Sequence, residues 1–126
     1  MKPTIIVCET CNYSREQQEL NGRRGGALLF EAISRLAAEL PQRDHFALRT
    51  TRCLMACERH CNVHLRAPGK ICYVIGDMPP NDEGAAIILD YFIKYLGSET
   101  GSVRYKTWPE GIKGHFIARI PPFEID

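Results

Sequence analysis

The chain has 126 residues, a formal charge of +1 from 16 Lys/Arg and 15 Asp/Glu, and six cysteines. That length fits one domain, 1–126, which buries roughly two-thirds of its unfolded surface and does not depend on cross-links. No run approaches the ~18 apolar residues of a membrane span, and "MKPTIIVCETC" has neither the apolar region nor the cleavage site of a signal peptide. The expectation is a cytoplasmic protein with reduced thiols, in which grouped cysteines favour metal or redox chemistry over disulfides.

In chain order, "TIIV" at 4–7 predicts a buried strand that delivers Cys8 at its end. Residues 8–24 are polar without an apolar period, which predicts a long loop with at most one helical turn. Loops of that length inside compact domains are usually functional. "GGALLFEAISRLAAEL" at 25–40 predicts a helix. Leu29, Ile33, Leu36 and Leu40 share one stripe, and Pro41 stops the run. "GRRGG" at 22–26 lacks the spacing of a phosphate-loop fingerprint and reads as a flexible helix start. "HFALRTT" at 45–51 alternates Phe46, Leu48 and Thr50 with polar positions and predicts a strand.

"CNVHLRAPGKICYVIGD" at 61–77 predicts a hairpin around Pro68-Gly69, with Cys72 mid-strand as a small core residue. "PPNDEGAAIILDYFIKYLG" predicts a second helix, capped by Asn81 or Asp82 and stopped at Gly97. The remaining tail has few strong periods; Trp108 is its natural anchor. The order is β-α-β-β-β-α with an irregular C-terminal tail, an α/β sandwich of thioredoxin type.

The cysteines are patterned: Cys8-x2-Cys11, forty-one residues, then Cys53-x3-Cys57-x3-Cys61. Residues four apart on a helix have Cβ atoms about 5–6 Å apart, too far for a disulfide at about 3.8 Å. A shared metal, about 2.3 Å from each sulfur, relaxes that constraint. Neighbouring parallel strands bring their carboxyl ends to one edge, so two loops there supply four or five thiolates to one centre. Either an iron–sulfur cluster or zinc suits such donors. A dithiol oxidoreductase using Cys8 and Cys11 fits less well, since sixteen residues separate Cys8 from the helix start at Gly25.

His60 and His64 flank Cys61 as secondary ligand candidates, although His64 alternates with Val63 and Leu65 and reads as solvent-facing. No Ser/His/Asp set or paired carboxylates stand in a matching context, so the chain reads as a carrier or metal-binding protein rather than an enzyme. Residues 1–70 carry a net +4 and residues 71–126 a net −3, so the cysteine-rich half is basic. Arg49, Arg52, Arg59 and Arg66 are either a solvated face, an offset to thiolate charge, or a surface for an acidic partner. Nucleic acid is disfavoured, because the basic stretch lacks interleaved aromatics.

Two cysteines at the end of a first strand, then "RCLMAC", then a strand–turn–strand ending in "YVIGDM", resemble the thioredoxin-like 2Fe–2S ferredoxins over roughly residues 4–96. That resemblance implies a cluster held by Cys8, Cys11, Cys53 and Cys57, one-electron exchange with a redox partner protein, and a homodimer. The first pair is more closely spaced than in those ferredoxins, and Cys61 is a fifth thiol, an alternative ligand to Cys11. Through "VCETC", "CLMACERHC", "RAPGK" and "YVIGD", nearly the whole chain also resembles a family of small bacterial predicted metal-binding proteins. This second resemblance implies an association with cobalamin or cobalt genes.

Overall fold

The computed structural model describes residues 2–14, 16–52 and 60–122. Strand β1 (Thr4–Cys8) is buried along its whole length, as its apolar run dictates. After a two-strand ribbon, β2 (Glu19–Leu20) and β3 (Arg23–Arg24), helix α1 (Gly25–Ala37) crosses over to β4 (Ala47–Thr51). Strand β4 runs parallel to β1, with Thr4 opposite Ala47 and Cys8 opposite Thr51. A parallel pair requires such a crossover, and α1 supplies it.

On the other side of β1 lies antiparallel β5 (Val63–Arg66), followed by β6 (Cys72–Ile75) and β7 (Phe116–Ile120), giving the order β4-β1-β5-β6-β7. Helix α2 (Asp82–Leu96) starts at Asn81, whose side chain accepts the Gly84 N–H at 3.1 Å.

Alternation along the strands sorts the side chains onto two faces. Ile5, Val7, Val63, Leu65, Tyr73 and Ile75 point to one face and pack with Leu29 and Ile33 of α1 and Ile88, Tyr91, Phe92 and Tyr95 of α2. The Tyr73 ring meets Tyr91 and Tyr95 edge-on at centroid distances of 5.9 and 6.0 Å. The helices therefore share one side of the sheet, a two-layer sandwich.

Four expectations are corrected. The tail is not wholly irregular: β7 adds a fifth strand beside β6, where a bulge at Val74/Ile75 breaks simple alternation. The 8–24 loop contains the β2–β3 ribbon, turned by Asn21 and Gly22 at φ +52° and +80°. Asn-Gly between two short strands is the signal for such a turn. Helix α1 stops at Ala37 instead of Leu40, and β4 begins at Ala47 after a 3-10 turn over Arg43–His45. Cys72 opens β6 and is half-buried, outside the core it was expected to join. Trp108 does anchor the tail, with Nε1 donating to Val103 O at 2.8 Å and its ring against Tyr91 and Phe116.

Candidate functional site

Parallel pairing of β1 and β4 carries both carboxyl ends to one edge of the sheet. Cys8 faces Thr51 there, and the Glu9 N–H donates to Thr51 O at 2.8 Å. The Cys8 thiol sits 3.6 Å from the carbonyl oxygen of Arg52, the residue that precedes Cys53 in the chain. Thr10 Oγ1 donates to that same carbonyl. Cys53 and Cys57 themselves lie outside the described residues, as do Leu54, Met55, Ala56, Glu58 and Arg59.

Two further cysteines, Cys11 and Cys61, lie near this edge. The chain turns after Cys8, with the Cys11 N–H donating to Cys8 O at 3.3 Å, and this places Cys11 under the start of β5. There the Asn62 N–H donates to Cys11 Sγ at 3.3 Å, and Asn62 O accepts the Cys8 N–H at 3.0 Å. Cys61 Sγ lies 3.7 Å from Asn12 O. Cys8, Cys11 and Cys61 are all buried. The Cys8 side chain, followed by burial, pushes the Cys11 thiol well above the usual range, against a lowering pull from the Asn62 N–H. Burial first, then Asp77 and Cys8, push Cys61 up to about 12. For Cys11 and Cys61 both shifts favour the protonated thiol, and a thiol must lose that proton to ligate a metal.

A second contact network fixes Cys61. Cys61 and Asp77 both occupy the left-handed region, at φ +50° and +59°. The Asp77 N–H donates to His60 O at 2.6 Å, and Asp77 Oδ1 accepts the His60 N–H at 3.3 Å and lies 3.2 Å from His60 Nδ1. Asp77 thus ties the loop before α2 to the residue before Cys61. His64 stands apart on β5, paired with Ile6 and Val74, half-buried rather than solvent-facing. Burial, with Arg66 nearby, lowers its pKa.

The glycines at 25 and 26 have a use other than flexibility. A Cβ on Gly26 would lie inside contact distance of the Cys8 carbonyl oxygen and 2.9 Å from its carbon. One on Gly25 would lie 2.6 Å from Tyr13 Cα. Helix α1 therefore starts directly against the loop that carries Cys8 and Cys11. Asn62, Asn12 and Gly26 escape a reading by residue type, because each acts through its backbone; the paired glycines before an apolar stripe are the one local sign.

Thiols are by type soft donors, the kind that favours thiophilic metals. Among the described residues, no group of three or more His, Cys, Asp or Glu side chains is arranged to hold a metal ion.

Comparison with solved structures finds the thioredoxin-like [2Fe-2S] ferredoxin from Aquifex aeolicus, with 98% of each chain covered, 19% identity and a TM-score of 0.58. The fold is accordingly the thioredoxin-like α/β sandwich. No curated protein matches. Residues 5–122 match the model of a family described as "Protein of unknown function (DUF1636)", and the chain belongs to that family.

Proposed function

We propose that the protein is a 2Fe–2S electron carrier whose cluster is held by Cys8, Cys11, Cys53 and Cys57. The observation that carries this reading is the parallel β1–β4 edge, where Cys8 Sγ lies 3.6 Å from the carbonyl of the residue preceding Cys53. The likeness to a thioredoxin-like [2Fe-2S] ferredoxin supports it at the level of fold. A cluster held by four thiolates supplies a reversible one-electron couple.

The chain's own residues hold and shield it. Asn62 donates its N–H to Cys11 sulfur, a bond that strengthens when the sulfur carries negative charge. Gly25 and Gly26 let α1 close over the Cys8–Cys11 turn and keep water from it. No acid–base residue is required, so the reading is a carrier and not an enzyme. It works with a redox partner protein and, as in the resembled ferredoxins, as a homodimer. No described helix is long and apolar enough to cross a membrane, and we place the protein in the cytoplasm. A link to cobalamin or cobalt chemistry finds no supporting feature among the described residues.

Cys61 is the alternative fourth ligand, favoured by its burial beside Asn12 and its electrostatic coupling to Cys11. Protein purified without oxygen should be brown, with visible absorption bands and iron and acid-labile sulfide in equal amounts. Cys53→Ser and Cys57→Ser should each empty the site, whereas Cys72→Ser should keep it. If Cys61→Ser empties it and Cys11→Ser does not, Cys61 is the ligand. A colourless protein with stoichiometric zinc would replace the electron carrier with a metal-binding protein using the same donors.

A further inference from the structure

The sheet ends at β4 on one side and at β7 on the other. An edge strand carries a row of unpaired N–H and C=O groups, and proteins usually blunt it with proline, a bulge or a covering segment. Strand β7 is blunted: a bulge interrupts its pairing with β6, and Pro121 and Pro122 follow it. Strand β4 has neither a proline nor a bulge. The Ala47 N–H donates to Pro3 O at 2.9 Å, and Thr51 O accepts the Glu9 N–H at 2.8 Å. In a parallel ladder alternate residues bond to the same neighbour, so Ala47, Arg49 and Thr51 turn their peptide groups to β1. Those of Leu48 and Thr50 point out of the sheet, and nothing among the described residues pairs with them.

The two sides of this edge differ. Leu48 and Thr50 lie opposite Ile5 and Val7 and so share the helix side. There a groove of about 680 Å³ runs between Thr50 and one flank of α1, where Ala27, Phe30 and Ser34 are half-buried. The charges at its rim are neutralised within the chain: Arg23 meets Glu31 at 2.5 Å, and Arg35 forks onto Asp82. Glu9, next to Cys8 in the chain, also lines the groove and disfavours an anion there. On the opposite side of the edge stands Arg49, exposed and without an ion pair among the described residues.

We infer that β4 takes up an extended segment of another protein as a sixth, antiparallel strand, one with an acidic residue between two apolar ones. Main-chain bonds to Leu48 and Thr50 supply the attachment, and the alternating side chains supply the choice. The residues opposite Leu48 and Thr50 send their side chains into the groove, against Ala27 and Phe30. The residue between them faces Arg49 as a non-hydrogen-bonded pair, with Cα atoms about 4.5 Å apart. A carboxylate there meets the guanidinium. A second copy of this chain fits worse. Two β4 strands in full antiparallel register pair Leu48 with Thr50 but set the two Arg49 side chains directly opposite, a repulsive pair. Five residues make a small contact, so the association is transient. The edge and the groove carry the inference, whichever metal the cysteines hold.

The test is selection of short random peptides, displayed on phage, against the full chain. Enriched sequences should share an apolar–Asp/Glu–apolar alternation. The best of them, made synthetically, should slow hydrogen exchange at the Leu48 and Thr50 amides when it binds. Thr50→Pro deletes one outward N–H and no bond to β1. It should weaken that peptide about tenfold, since a peptide carbonyl loses its donor. Arg49→Glu should turn the selected central residue to Lys or Arg. Melting temperatures check that both variants are folded, and if Thr50→Pro is not, the Arg49→Glu selection and the exchange data decide. No alternating sequence, unchanged exchange at Leu48 and Thr50, or binding indifferent to Thr50→Pro in a folded chain overturns the inference. So does a dimer of the unaltered chain that Thr50→Pro splits, which would give the edge to a second copy.

Discussion

Gly26→Ala is the substitution that best separates helix propensity from packing at the site. Gly26 is the second residue of α1, and by propensity alone alanine should stabilise a helix by up to ~1 kcal/mol. The surroundings oppose this. The added Cβ would fall inside the contact distance of Cys8 O, 2.9 Å from Cys8 C and 3.0 Å from Glu9 C, where carbon–carbon contacts favour ~3.5–4.0 Å. All three atoms are backbone, so no side chain can rotate away. Either α1 or the end of β1 must shift by several tenths of an ångström or more. Forced overpacking of this kind costs about 1–3 kcal/mol, and a backbone neighbour puts the case at the upper end.

Set against the propensity gain, the net expectation is destabilisation by about 2 kcal/mol, a drop in Tm of roughly 6–10 °C for a chain of this size. Urea denaturation should show a lower midpoint at unchanged slope. Because the displaced carbonyl is the acceptor for the Cys11 N–H, metal or cluster occupancy should fall with it. Gly22→Ala is the control: it has φ +80° and no atom within 4 Å, so it should cost about 1 kcal/mol through backbone strain and leave occupancy intact. A Gly26→Ala protein as stable as the parent, with a full site, would refute the close approach of α1 to Cys8.

Other outcomes follow from the same contacts. Asn81→Ala removes the side chain that caps α2 and should cost about 1 kcal/mol, read by thermal denaturation, with no change at the cysteines. In metal-free protein, alkylation of Cys61 followed by peptide mass spectrometry should rise with pH towards an inflection near 12 rather than 9. Since the folded state raises this pKa, its contribution to stability is complete below about pH 9 and is lost as pH climbs through about 12; equilibrium unfolding over that range should show the decline. Asp77→Ala breaks the tie to His60 and places alanine at φ +59°, and should cost about 2 kcal/mol in urea denaturation. Asp77→Asn, which tolerates that backbone region, should cost less, and both should speed Cys61 alkylation.

Much of this protein is written in local patterns. The apolar run before Cys8, the stripe of α1, the Pro-Gly turn of the β5–β6 hairpin and the Asn81 cap all act within a few residues, so periodicity and turn chemistry expose them. The β2–β3 ribbon was legible too, in Asn21-Gly22, but two-residue strands carry too little alternation to stand out from a polar loop.

What only the tertiary structure decided is pairing across long separations. Strand β7 exists because β6 offers it an open edge, and a bulged half-buried strand has no clean period to announce itself. Cys61 joins Cys8 and Cys11, and Gly26 meets Cys8, because parallel β1 and β4 and the α1 crossover pack as they do. Chain-local preferences are fixed by covalent neighbours, whereas contacts between distant segments are chosen by the burial of one shared core, and no single stretch of sequence contains that choice.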